Sequence, residues 1–445
     1  MDICVAIRLI HEQCTLVGTM EERPLSLLIC FILLSSGCLS SSPPDLDGDG
    51  ISDSEDLDDD GDGWNDDIEL NCSTDPLDGD SFPEDEDWDL ICSILDDDDD
   101  GDDWSDSEEE ECSTDPKSEM SVPSDLDSDG LCDINDEDAD GDGLPNLWEE
   151  ERGFDPMDPE DYMSCHGESV YCMRSYDDFT FPETHNAYSS VEDGVLIGVN
   201  HYTGLQAQWD GGIRAFMVDS HHRSDDNTSA EDVRFCHGTG QFFHPCLFGE
   251  VDAFEWISLL GSLMDNSSGD VVTLLIENYV PAEHLEFLFL ETGMYDRIYT
   301  HTLGESWPSL GDLVLSGTDL VVFWEQSQND DFPWLHDFGV FSWTTDYAED
   351  SQEEMSCTVY RGDGSQPVWH LNNWLSNAFG LPDPVRAGEV NDYDALLNRS
   401  IECWEIMDNR PTFVAVDYWE DGEITNVTIT MNKMSHWSDE VPPRP

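Results

Sequence analysis

The feature that most constrains this chain is an acidic motif that recurs every 40 residues. Asp58-Asp59-Asp60-Gly61-Asp62-Gly63-Trp64 returns as Asp98-Asp99-Asp100-Gly101-Asp102-Asp103-Trp104 and again as Asp138-Ala139-Asp140-Gly141-Asp142-Gly143-Leu144. A second motif keeps the same period, with Ser73-Thr74-Asp75-Pro76 repeated at Ser113–Pro116 and, loosely, at Gly153–Pro156. Regular periods of this length mark arrays of small structural units. Residues 45–160 carry 50 Asp and Glu against two basic residues and show almost no apolar periodicity. Such a segment cannot fold around an oily core, so metal ions and cross-links have to take its place.

Each unit holds two acidic loops, beginning at Asp45, Asp58, Asp85, Asp98, Asp125 and Asp138, with separations that alternate between 13 and 27 residues. In the second loop Asp58, Asp60 and Asp62 take positions 1, 3 and 5, Gly63 the turn, Asp66 position 9 and Glu69 position 12. That spacing wraps alternate carboxylates around one hard cation, calcium above all. The first loop repeats it with Asp45, Asp47, Asp49, Asp53 and Asp56, and the fifth with Asp125, Asp127, Asp129, Asp133 and Asp136. The sixth has Asp138, Asp140, Asp142, Asn146 and Glu149. The fourth keeps Asp98, Asp100, Asp102, Asp106 and Glu109 but places Asp103 at the turn, and the third has Leu90 there with Ser93 at position 9. These two are expected to bind more weakly.

Cys72, Cys92, Cys112 and Cys132 fall every 20 residues. The repeat register favours Cys72–Cys92 and Cys112–Cys132, with a ladder between successive units as the other arrangement. On these loops and cysteines the region 45–160 resembles thrombospondin type 3 repeats. The resemblance implies a calcium-wrapped, disulfide-braced array. A disordered acidic linker is the plain alternative; the turn glycines and position-12 carboxylates argue against it.

Ahead of the repeats, Leu25–Ser36 is an apolar run of signal-peptide length, too short to span a bilayer comfortably. It ends in Ser35-Ser36-Gly37-Cys38, similar to a bacterial-type lipobox with Ser35 where an aliphatic residue is usual. Cleavage there would make Cys38 a lipidated N-terminus; ordinary cleavage would release the protein. A start at Met20 gives a compact signal peptide. The expected organisation is a signal peptide over 1–37, a tether over 38–44, repeats over 45–160 and a catalytic domain over 161–445. Fourteen cysteines beside an export signal fit an oxidising, extracellular or cell-surface setting. The net charge of −88 argues against nucleic acid as a partner.

From 161 onward strand-like and helix-like runs alternate. Residues 179–184, 212–220, 233–237, 271–279, 319–325, 340–346 and 412–418 are β-branched or aromatic, and 251–264 and 282–292 are amphipathic. About 270 residues of such alternation suggest an α/β fold, a TIM-type parallel barrel, with chemistry at the C-terminal ends of strands. The polar residues at those ends are His185 and Asn186, Asp219, His237, Glu277 and Asp417. Two histidines form an acid–base pair, and the oxygen ligands beside them suit calcium or magnesium. A phosphodiester suits that equipment.

Seven motifs in order carry a specific resemblance: Thr184–Ser189, Gly212–Asp219, Phe235–Gly238, Val271–Tyr279, Trp307–Gly311, Leu320–Phe323 and Phe413–Tyr418. Together they look like the X-domain family of phosphatidylinositol-specific phospholipase C and its secreted phosphodiesterase-like relatives. The resemblance implies a barrel with His185 and His237 as the acid–base pair and Asp417 orienting the first histidine. Asn186, Asp219 and Glu277 fall on metal-ligand positions of calcium-dependent members. One departure is Met217, where those members carry a further carboxylate; the metal site is then one ligand short, weaker, or completed by water or Glu325. Metal-independent members carry arginine at the position of Asp219, a pattern this chain does not fit. A glycerophosphodiester phosphodiesterase on the same barrel is the enzymatic alternative, against which the sequence His185-Asn186-Ala187 stands in place of His-Arg-Gly. A catalytically silent, calcium-dependent adhesion protein is the alternative of another class.

Cys236 with Cys246, Cys165 with Cys172, and Cys357 with Cys403 are the remaining plausible bridges. Asn227, Asn266, Asn398 and Asn426 open glycosylation sequons. Arg214 reads as a structural ion-pair partner.

Overall fold

The computed structural model describes residues 44–445 apart from 225, 227, 239–242, 328–329, 348, 350 and 378–379. The apolar run at 25–36, Cys38 and the Asn227 sequon lie outside the described residues. Two compact units divide the chain, one up to Asp136 and the other Glu137–Pro445. The sixth acidic loop therefore stands in the second unit and not at the end of the first.

The first unit is built from loops closed by side chains. Asp58 accepts the backbone amides of Gly61 at 2.9 Å and Gly63 at 3.1 Å, and Asp125 accepts those of Ser128 at 2.8 Å and Gly130 at 3.2 Å. Alternate aspartates curl the backbone in this way even where the turn residue changes. Leu90 and Asp103 stand at the two turns that lack glycine and adopt φ of 73° and 78°. A side chain in that left-handed region costs about 1–2 kcal/mol. The third and fourth loops thus keep the shape of the others under strain. Two short helices, α1 (Asp66–Cys72) and α2 (Asp106–Cys112), start at position 9 of their loops. Their cysteines form Cys72–Cys92 and Cys112–Cys132, the in-register pairing.

In the second unit, helix α3 (Asn146–Arg152) follows the sixth loop and leads into a barrel. Its strands are β1 (Phe181–Thr184), β2 (Ala215–His222), β3 (Val233–Phe235), β4 (Val251–Asp252), β5 (Val272–Asn278), β6 (Leu320–Trp324), β7 (His336–Asp337), β8 (Ser342–Thr344), β9 (Arg361–Gly362), β10 (Val368–Asn373) and β11 (Phe413–Val416). The pairing order is β7-β6-β5-β2-β1-β11-β10-β8, parallel throughout, so eight staves follow chain order around the ring. The first and last staves pair, whereas among the described residues no pairing joins β7 to β8. The barrel is closed at its ends in sequence and open between its fifth and sixth staves.

Alternation along the staves makes two cores. Phe181, Ala215, Leu275, Phe323, Val368 and Phe413 fill the barrel interior, while Phe216, Val218, Leu274, Ile276, Val414 and Val416 pack outward against the helices Ala253–Asp265, Ala282–Glu291, Tyr393–Met407 and Ile424–Asn432. Two strand expectations need correction. Residues 233–237 do not form a stave: Val233–Phe235 pairs antiparallel with β2 and β4 as an added ribbon. The stave at Val368–Asn373 was not expected, because its wholly buried polar residues His370, Asn372 and Asn373 break the apolar signature of a strand. The two-residue β7 is too short to show any period.

The remaining bridges are Cys165–Cys172, Cys236–Cys246 and Cys357–Cys403. Near the start of the staves, Arg214 Nε lies 3.0 Å from Asp270, whose other oxygen is 3.3 Å from His166 Nδ1, and the guanidinium sits 3.8 Å over the Trp209 ring. Burial pushes the Asp270 carboxyl up, but His166 and Arg214 reverse this and hold it below its ordinary value. Stability from that depressed group is present above the ordinary carboxylate value and is lost as pH falls through the depressed one. Asp270→Asn is therefore expected to destabilise the second unit by about 3 kcal/mol at neutral pH, with the difference shrinking in acid. Urea unfolding at several pH values measures this; a pH-independent difference would contradict it.

Candidate active site

Pairing of β1 with β11 sets Thr184 opposite Val416, so the residues that follow each strand emerge side by side. His185 Nδ1 lies 2.9 Å from Asp417 Oδ1. The carboxylate is almost fully buried and also accepts Asn200 Nδ2 at 2.7 Å, while Asn391 Nδ2 donates to the Asp417 carbonyl at 2.7 Å. His201 Nε2 sits 2.8 Å from the His185 carbonyl. The Trp374 ring stacks on the imidazole with centroids 4.1 Å apart and planes 8° apart. Held on one face by Trp374 and at Nδ1 by Asp417, the His185 ring has a fixed orientation, and its Nε2 lies 3.2 Å from Asn186 Nδ2. Asn186 itself adopts φ 51°, a left-handed turn that ends β1 and brings its amide into the cleft.

The acidic side of the cleft comes from the next two staves. Asp219 on β2 is the register partner of Glu277 on β5. Burial first, and then the Glu277 charge, push the Asp219 carboxyl well above the usual carboxylate range. Glu325 follows β6, and Arg361 from β9 reaches it at 2.6 Å. Burial raises Glu325, Arg361 lowers it and Glu277 raises it, with a net upward shift. Met217, two residues before Asp219 on the same face of β2, lines the same cleft as an apolar wall.

His237 follows β3, the antiparallel ribbon, which carries it back over the mouth. Its Nδ1 lies 3.1 Å from the Gly198 carbonyl. Accepting that proton, the carbonyl selects the tautomer with Nε2 unprotonated in the neutral ring. Burial, then the nearby His185, lower the His237 value. Cys236, the residue before it, is bridged to Cys246. His221 and His222 turn elsewhere: His221 stacks on Tyr279 with centroids 4.2 Å apart, and His222 Nε2 meets His284 Nδ1 at 2.9 Å.

Thus His185, Asn186, Asp219 and Glu277 line one cleft, Asp417 stands behind His185, and His237 stands close enough to His185 to feel its charge. Sequence reading missed Asn200, His201, Trp374 and Arg361. The first two lie in an irregular loop and the third just beyond an unexpected stave, so no periodic pattern pointed to them.

Histidines and carboxylates thus gather at the C-terminal mouth of a parallel barrel, the end at which such barrels carry their chemistry. A family model described as PI-PLC X 1 matches residues 171–432. The PI-PLC X domain-containing protein 1 of Arthroderma benhamiae is 27% identical over 286 residues, covering 60% of this chain and 89% of the relative. An uncharacterized secreted protein of the same fungus is 22% identical over 305 residues, covering 62% and 66%. A phosphatidylinositol-specific phospholipase C structure from Staphylococcus aureus aligns with a TM-score of 0.40 at 12% identity, covering 60% of this chain and 95% of its own. The chain belongs to the PI-PLC X domain family.

Buried Asp219 and half-buried Glu277 on the adjacent strand repel one another in the absence of a cation. Asp219→Asn is expected to raise Tm in chelator and to make the further rise on adding calcium smaller than in the wild type, the acidic loops supplying what remains. Scanning calorimetry in both conditions measures this, and a lower Tm for the variant in chelator would contradict it.

Proposed function

We propose that this chain is an exported phosphoric diester hydrolase or lyase of the phospholipase C type, acting on a phosphodiester with a neighbouring hydroxyl, such as an inositol lipid. The observation that carries the reading is the His185–Asp417 pair at 2.9 Å, set beside His237 and an acidic cleft. Asp417 retains the Nδ1 proton, so Nε2 of His185 acts as the base. It takes the proton of the substrate hydroxyl as that oxygen attacks phosphorus. His237, in its protonated form, gives the Nε2 proton to the leaving alkoxide as the P–O bond breaks. The products are a cyclic phosphate and a free alcohol; water opens the ring with the two roles exchanged. Burial and His185 lower the His237 value, so its protonated form is favoured only once an anionic phosphodiester lies beside it.

Asn186, Asp219 and Glu277 fit an oxygen-ligated calcium or magnesium, since a buried Asp219 repelled by Glu277 calls for positive charge. Bound there, the ion supplies charge that offsets the phosphoryl oxygens. Glu325 stands in the cleft wall but is engaged by Arg361. Met217 favours a second reading, a barrel that binds a phosphodiester without cleaving it, because it removes one carboxylate from the acidic side. His185→Ala and His237→Ala are each expected to lower turnover of an inositol phosphodiester about 10²–10⁴-fold. Hydrolysis assays with calcium and with chelator measure this; activity surviving the double variant would overturn the catalytic reading, and a silent wild type would favour the second.

The five disulfides among the described residues support an oxidising setting outside the cell, free or anchored through Cys38. The acidic loops are proposed as calcium sites. Glu69 and Glu109 at position 12 are fully buried, and Glu69 Oε2 and both Glu109 oxygens lack a hydrogen-bond partner. A buried carboxylate oxygen without a partner is costly unless a cation meets it. Calorimetric titration is expected to count several calcium ions per chain; none would return this region to an acidic linker.

A further inference from the structure

The sixth acidic loop differs from its counterparts in what it touches. At position 7, Leu144 is fully buried in the same core as Phe181, Val321 and Phe413, at the N-terminal end of the barrel interior. Trp64 and Trp104 hold that position in the second and fourth loops and are only partly covered. Ser169 Oγ donates to the Asp142 carbonyl at 2.6 Å, and a Cβ at Gly143 would come within 2.5 Å of that hydroxyl. Trp148 packs so close to Gly311 that a Cβ there would lie 2.9 Å from its ring. Arg152 Nε and Nη2 donate to Asp312 at 3.2 and 3.0 Å.

The repeat register explains the exchange. Cys72–Cys92 and Cys112–Cys132 predict a third bridge between positions 152 and 172. Position 152 is arginine, paired with Asp312, and Cys172 pairs with Cys165 instead. The last repeat has given up its own bridge and uses the barrel as its brace.

The loop also has the mark of a ligand. Glu149 is fully buried, and neither of its carboxylate oxygens has a hydrogen-bond partner; Asp140 Oδ2 and Asp142 Oδ2 are likewise buried without one. Asp142, Asp140, Asp138 and Asp161 all face Glu149 closely enough to repel it. The cation nearest in sequence, Arg152, is occupied by Asp312 and Glu151.

We propose that the loop Asp138–Glu149 is a calcium-class cation site belonging to the barrel unit itself, and that the ion bound there locks the barrel's N-terminal face, opposite the catalytic mouth. The inference rests on the reading of the acidic loops as cation sites. The ion would hold the loop closed, the closed loop would seat Leu144 and Trp148, and those side chains would clamp the segments 169–176 and 307–315. The catalytic unit would then be weakened by chelation through a site that takes no part in catalysis.

Hydrogen–deuterium exchange on the full chain tests this with calcium alone as probe. Peptides covering 169–176 and 307–315 are expected to exchange about tenfold more slowly at ten times the calcium Kd than in chelator. Glu69→Gln/Glu109→Gln, which alters only first-unit loops, and Glu277→Gln, which alters the cleft, should keep that protection. Glu149→Gln should lose it; Asp142→Asn serves should Glu149→Gln not fold. Protection that persists in these sixth-loop variants overturns the proposal. So does calcium bound by calorimetry with no change in these peptides, which leaves the loop reading intact. If no calcium binds at all, the loop reading itself fails and this inference with it.

Discussion

The parallel pairing of β1 with β11 is the constraint on which the active site depends. It sets Thr184 beside Val416, and from that register His185 and Asp417, 232 residues apart in sequence, come within 2.9 Å. The other edge of the sheet needs no such closure, since β7 and β8 end in neither residue of that pair. What matters is that the first and last staves meet, because each ends in one half of it. The loops then complete the support. Asn200 and Asn391 fix Asp417 from two sides, and Trp374 covers the imidazole.

Charge is the second theme, and it recurs at three places in the chain. In the first unit, in the sixth loop and in the cleft, carboxylates converge with too few basic partners. A protein with 103 acidic and 15 basic residues cannot neutralise such clusters with its own side chains. Where a basic residue is available it is used structurally: Arg214 holds Asp270, Arg297 holds Asp319 at 2.7 Å, and Arg361 holds Glu325. Glu69, Glu109 and Glu149 at loop position 12 and Asp219 in the cleft are buried beside other carboxylates, which raises the energy of their charged state.

Much of this was legible in advance because its cause is local. The acidic loops follow a fixed spacing, and the in-register cysteines follow the same period, so both could be read directly. The staves at 181–184, 215–222, 272–278 and 413–416 carry strong apolar alternation, and the polar residues that end them stand out against it. The stave at 368–373 was hidden because it buries polar residues on both faces, and the ribbon at 233–235 was mistaken for a stave because β-branched residues suit either kind of strand. Propensity reports extended backbone, not its neighbour.

The sequence by itself determined the six loops, the period of the cysteines, the alternation of strands and helices and the residue types at the strand ends, because each rests on spacing along the chain. Only the tertiary structure decided which groups stand behind His185, that Arg361 occupies Glu325, and that the last acidic loop is welded to the barrel. Those facts are contacts between segments far apart in sequence, fixed by sheet register and side-chain packing, and no local period encodes them.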